Sequence, residues 1–72
     1  MVEVTKVKSA RDITSRGYKD LGIFEENSKS LNELIMKSVL KQNIDLTLLY
    51  LDEGIYQVFI KKEVDYNEER NT

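Results

Sequence analysis

Residues 44–62 read IDLTLLYLDEGIYQVFIKK and hold most of the large apolar side chains of the chain. The segment Asp52-Glu53-Gly54 predicts a hairpin turn, because Asp favours the start of a turn and Gly tolerates the positive φ of a three-residue loop with a bulge. This loop predicts a register in which Leu51 faces Ile55, followed by the pairs Tyr50–Tyr56, Leu48–Val58, Leu46–Ile60 and Asp45–Lys61.

The two faces of this hairpin differ, because side chains alternate strictly along a strand. One face is apolar throughout and is predicted to take a helix; it comprises Ile44, Leu46, Leu48, Tyr50, Tyr56, Val58 and Ile60. The other face is polar at its base but apolar near the turn, where it carries Leu49, Leu51, Ile55 and Phe59. Either residues 1–24 fold across these four side chains, or the four remain exposed and bind a second subunit or a partner protein.

A helix is predicted at residues 31–42. Ser30 and Glu33 have the spacing of a capping box directly before an apolar periodic run, and Asn43 is suited to close the helix in the left-handed conformation. The buried face is predicted to comprise Leu31, Leu34, Ile35, Ser38 and Val39, and Met36 and Leu40 widen it. One face of a sheet can cover only part of so wide an apolar surface. We therefore expect Met36 and Leu40 to contact the N-terminal segment or another subunit.

The remainder of the chain predicts smaller elements. The β-branched stretch MVEVTKVK indicates an N-terminal edge strand. Ser9 and Asp12 resemble a helix start that Gly17 would end, although an ordered loop is the alternative, and a short strand is expected around Ile23 and Phe24. We therefore expect a single α+β domain over residues 1–64, followed by a disordered acidic tail over residues 65–72.

Composition excludes several kinds of site. The chain of 72 residues has no Cys and no His, which removes disulfides, thiolate nucleophiles, His-dependent triads and the commonest metal sites. The sequence contains no phosphate-binding Gly-rich loop and no membrane-length apolar segment. We expect a cytoplasmic protein that is not an enzyme and binds no cofactor or metal. Because so short a chain has a small core, we also expect a homodimer. The residue usage is typical of low-GC bacteria or their phages.

Residues 1–19 carry a net charge of +3, since five basic residues stand against Glu3 and Asp12. Such a segment could contact phosphates, so a small nucleic-acid-binding protein is the alternative function. Its candidate contacts are Lys6, Lys8, Arg11, Arg16 and Lys19.

Residues 20–72 carry a net charge of −5, with the acids concentrated in predicted turns and in the tail. An acidic surface of this kind can attract a basic protein and occupy its nucleic-acid-binding groove, as a DNA mimic does. The leading hypothesis is therefore a non-enzymatic regulator or inhibitor that binds another protein. Its predicted acidic contacts are Glu25, Glu26, Asp52, Glu53, Glu63, Asp65, Glu68 and Glu69.

Overall fold

The computed structural model describes residues 2–6, 8–41 and 43–62. These residues form four strands and two helices in the order β1 (Val2–Thr5), α1 (Ala10–Thr14), β2 (Lys19–Glu25), α2 (Lys29–Leu40), β3 (Ile44–Asp52) and β4 (Ile55–Lys62). The strands make one mixed sheet in the order β1-β3-β4-β2. β1 runs parallel to β3, and the other two pairings are antiparallel. The predicted α+β class is confirmed, with β1 as an edge strand.

The hairpin occupies the centre of the sheet, and its register agrees with the prediction except next to the turn. The pairs from Asp45–Lys61 to Tyr50–Tyr56 are those expected. Ile55, however, pairs with Asp52, because the register shifts between Tyr50 and Asp52. Leu51 is therefore the extra residue of a bulge. Gly54 has φ +73°, the positive value that the turn sequence predicts.

Helix α2 covers the apolar face of the hairpin, as predicted. Leu31 packs with Leu46, Leu48 and Val58 in a buried cluster, to which Leu34 and Ile35 add partly buried surface. Ser38 is also buried, and its Oγ donates a hydrogen bond of 3.1 Å to the carbonyl oxygen of Ile44. This bond ties the end of the helix to the start of β3.

The predicted boundaries of α2 are wrong at both ends. Ser28, not Ser30, is the N-cap, and its Oγ accepts a hydrogen bond of 3.3 Å from the backbone N–H of Leu31. The first apolar residue, Leu31, already lies inside the first turn of the helix. The N-cap is therefore Ser28, two residues before Ser30. The helix ends at Leu40, with Lys41 as an extended C-cap. Asn43 does not adopt positive φ, since Asn27 (φ 64°) is the one non-glycine residue that does so among those described.

Val39 also departs from prediction, because 68% of its surface is exposed. Its neighbour Ser38, which is 1% exposed and bonded to Ile44, faces the sheet at this point of the helix instead.

Helix α1 covers the opposite face of the sheet. Ser9 and Asp12 form the capping box that their spacing indicates, and Gly17 has φ +93° after the helix. Ile13, only 2% exposed, packs on Leu49 and Phe59 in a second buried cluster, bordered by Ala10 and Tyr18. Residues 1–24 therefore fold across Leu49 and Phe59, which is the first of the two alternatives that the sequence leaves open for this face.

Strand β2 is longer than the short strand expected around Ile23 and Phe24. It pairs with β4 from Lys19 to Glu25, with a register shift between Asp20 and Gly22. Gly22 has φ +98° at this irregularity, and its N–H donates a hydrogen bond of 2.8 Å to Asp20 Oδ1. The bulge explains why period-two patterning fails here and why the strand is hard to recognise in the sequence.

The N-cap assignment can be tested with two serine substitutions. Ser28→Ala should lower the free energy of unfolding by about 1 kcal/mol, because the Leu31 N–H loses its side-chain acceptor. Ser30→Ala, the matched control inside the helix, should change it by less than about 0.5 kcal/mol. Urea unfolding followed by circular dichroism measures both, and equal effects would contradict the assignment.

Coverage by α1 can be tested with a pair of isoleucine substitutions. Ile13→Ala should cost about 2–5 kcal/mol or prevent folding, because it opens a cavity over the second cluster. Ile23→Ala removes the same atoms from a side chain that is 67% exposed, and should cost less than about 1 kcal/mol. If thermal unfolding shows similar losses for the two variants, α1 does not seal this face.

Candidate interaction surface at the hairpin turn

Four predicted acidic contacts lie together at one end of the sheet. Glu25 ends β2 and Glu26 follows it, while Asp52 ends β3 and Glu53 lies in the turn. All four residues are exposed. We call this group, Glu25, Glu26, Asp52 and Glu53, the acidic tip.

Backbone contacts hold the acidic tip together. The N–H of Glu26 donates a hydrogen bond of 2.7 Å to the carbonyl oxygen of Gly54, which joins the end of β2 to the turn. A Cβ on Gly54 would lie 3.8 Å from Glu26 Oε2, so the carboxylate lies beside the turn. The N–H of Glu53 donates a bond of 2.8 Å to Asp52 Oδ1.

The negative charge of the acidic tip is not balanced within the described part of the chain. In residues 2–6, 8–41 and 43–62, none of its four carboxylates forms an ion pair, whereas Glu3 pairs with Lys8 at 3.3 Å. No group of three or more acidic residues within these ranges is arranged to hold a metal ion. Within these ranges the acidic tip is thus a local excess of negative charge.

Two predicted apolar contacts border the acidic tip. Leu51, at the bulge, is 44% exposed, and Ile55, which pairs with both Glu25 and Asp52, is partly buried. The sequence predicts Leu49 and Phe59 at the same interface, but they are 7% and 0% exposed and lie under Ile13. These two residues are core, because α1 closes over them.

Met36 and Leu40 lie on the outer side of α2, 59% and 75% exposed. With Val39 they form an apolar row that we call the helix stripe, and it does not border the buried clusters. None of the described helices is long and apolar enough to cross a membrane.

The five predicted nucleic-acid contacts do not share one surface. Lys6 lies over the ring of Tyr50, 4.7 Å from its centroid. Lys8 and Arg16 line a cavity of about 170 Å³ beneath α1, and Arg11 is exposed on α1 itself. Lys19 lies on the other side of the sheet, in a cleft beside α2. The remaining acidic candidates, Glu63, Asp65, Glu68 and Glu69, are outside the described residues.

The cleft that contains Lys19 was not predicted. Its volume is about 590 Å³, and its rim carries Lys19, Lys37, Lys41 and Lys62. Only Lys37 and Lys41 give a sequence signal, because residues four apart share a helix face. Nothing in the linear sequence joins them to Lys19 and Lys62, which the pairing of β2 with β4 brings close together.

No protein-family model, curated protein or solved structure matches this chain.

The different positions of Leu49 and Leu51 predict different effects of the same substitution. Leu49→Ala should cost about 2–5 kcal/mol of stability, because it empties part of the second cluster. Leu51→Ala should cost less than about 1 kcal/mol, because its side chain is already 44% exposed and lies outside the buried clusters. Guanidinium unfolding measures both. A large loss for Leu51→Ala would mean that this side chain is structural and unsuitable as an interface probe.

Proposed function

We propose that this protein is a non-enzymatic interaction module that regulates or inhibits another protein by binding a basic surface through the acidic tip. The supporting observation is the clustering of four exposed carboxylates, unpaired within the described residues, at the end of the sheet that also carries the partly exposed Leu51. These residues come from two segments that are far apart in the sequence.

The chemistry of the acidic tip favours a partner that itself binds nucleic acid. A cluster of carboxylates carries negative charge as a phosphate backbone does, and a basic groove attracts both. The partly exposed Leu51 and Ile55 add apolar surface that a phosphate backbone does not offer. The protein would thus compete with nucleic acid for the groove, while its apolar contacts select one partner. The cytoplasm is the proposed compartment, since a chain without Cys needs no oxidising environment.

The charge of the acidic tip should control partner capture. Glu26→Lys/Glu53→Lys reverses two of its four charges, and should abolish capture of a basic protein by the immobilised chain at low salt. Attraction of this kind acts mainly on the association rate and weakens with ionic strength. The matched control, Glu3→Lys/Glu33→Lys, changes the net charge equally at exposed positions elsewhere and should leave capture intact. Mass spectrometry of the eluates and binding kinetics for the captured protein provide the measurement.

Three results would contradict this function. The first is capture that survives reversal of the acidic tip. The second is capture that Leu51→Ala abolishes while the charge reversals leave it unchanged, which would make the interface apolar. The third is a captured partner that duplex DNA cannot displace, because a mimic and DNA must occupy the same groove.

A further inference from the structure

The four lysines of the cleft surround an aliphatic floor. Lys37 and Lys41 project from α2, while Lys19 begins β2 and Lys62 ends β4. All four residues are exposed. Between them lie the side chains of Leu21, Leu34, Ile44 and Ile60. We call this feature the lysine cleft.

Among the residues that the structure describes, the lysine cleft has no acidic side chain to balance its charge. No Asp or Glu lines it, and none of its four lysines forms an ion pair within residues 2–6, 8–41 and 43–62. Four ammonium groups around one cleft repel each other, so an anionic occupant would be favoured. This local excess is notable in a chain whose net charge is −2.

The floor indicates which kind of anion fits. Proteins that bind single-stranded nucleic acid stack bases on aromatic rings, and none of the described residues that line this cleft is aromatic. Aliphatic side chains instead suit other aliphatic groups, and lysines pair with carboxylates as point charges. The matching ligand is therefore an acidic protein surface that also carries Leu, Ile or Val.

The acidic tip has this composition, with four carboxylates beside Leu51 and Ile55. The tip and the cleft cannot meet within one molecule, because they lie at opposite ends of the same strands. Lys19 begins β2 and Glu25 ends it, so the two ends are roughly 20 Å apart at about 3.3 Å per residue.

We propose that the lysine cleft of one copy binds the acidic tip of a second copy. The two contacting surfaces are different, so the association is head-to-tail and leaves a free cleft and a free tip at the ends of each assembly. This inference rests on the proposed function in one respect, that the acidic tip is an interaction surface. It adds that self-association and the basic partner compete for that surface.

The full chain should self-associate in a concentration- and salt-dependent manner. At about 200 µM and low ionic strength, suited to a small and highly charged interface, sedimentation velocity should show species larger than a monomer. These species should dissociate at about 0.5 M salt, where exposed charges are strongly screened. The cleft variant Lys19→Glu/Lys62→Glu and the tip variant Glu26→Lys/Glu53→Lys should each remain monomeric.

The decisive experiment mixes the two monomeric variants. The cleft variant keeps a normal tip, and the tip variant keeps a normal cleft, so an equimolar mixture should form a 1:1 heterodimer. The heterodimer should not grow further, because its remaining cleft and tip each have balanced charges. The matched control, Glu3→Lys/Glu33→Lys alone, retains both surfaces and should self-associate like the wild-type chain.

Several outcomes would overturn the proposal. These are a monomeric wild-type chain under the stated conditions, charge variants that associate like wild type, or a mixture that stays monomeric. Association abolished by Met36→Lys/Leu40→Lys but unaffected by the charge variants would assign the interface to the helix stripe. A monomeric wild-type chain that binds a single-stranded oligonucleotide through Lys19 and Lys62 would make the cleft a nucleic-acid site.

The two proposals can fail separately. The cleft variant keeps the acidic tip, so it should capture the basic partner at least as well as the wild-type chain. Normal capture without self-association would overturn only the inference about the lysine cleft. Self-association without capture of any basic protein would overturn only the proposed function.

Discussion

Val58 and Phe59 are neighbours on β4, have no exposed surface, and point to opposite faces of the sheet. The rest of the structure depends on this constraint. A sheet whose central strand is buried on both sides needs a layer on each face, and in the described part of the chain two helices provide them. Helix α2 supplies a broad layer over Val58. Phe59 is covered by α1, which is only five residues long and contributes one buried side chain, Ile13.

The unequal layers determine which surfaces remain available. Ile13 reaches Leu49 and Phe59, but the hairpin extends beyond it to the turn, where Leu51 is partly exposed. On the other face, α2 has apolar residues on more sides than the sheet can cover, which leaves the helix stripe in water. The candidate contact surfaces thus lie where apolar side chains extend beyond the contact between helix and sheet.

The separation of charge follows from topology. β2 starts with Lys19 and ends with Glu25, and it pairs antiparallel with β4. This pairing places Glu25 and Glu26 beside the turn, and it places Lys19 beside the end of β4 that carries Lys62. One strand therefore gives the sheet an acidic end and a basic end. A molecule with opposite charges at its two ends is favoured to contact others in a defined orientation.

The central hairpin could be predicted because its signals are local: a Gly in the turn and strict alternation in both strands agree on one register. The capping box of α1 was visible for the same reason. β2 was less visible because its bulge breaks the alternation, and the start of α2 was misplaced because Ser28 and Ser30 both resemble caps. The acidic tip could be suggested from charge, since its acids lie in turns. The lysine cleft could not, because strand pairing brings its residues together.

The two kinds of residue at the acidic tip make different contributions to binding. Exposed ion pairs contribute little each, typically about 0–1 kcal/mol, and salt weakens them further. Burying an aliphatic side chain contributes about 1.5–3 kcal/mol when it was fully exposed, and proportionally less for Leu51 and Ile55, which are already partly covered. Neither contribution alone exceeds the entropic cost of association, which is about 4–15 kcal/mol. A contact through this end therefore needs both: the carboxylates to orient the encounter, and the aliphatic groups to slow dissociation. Because each part is modest, such a contact remains reversible, as regulation by competition requires.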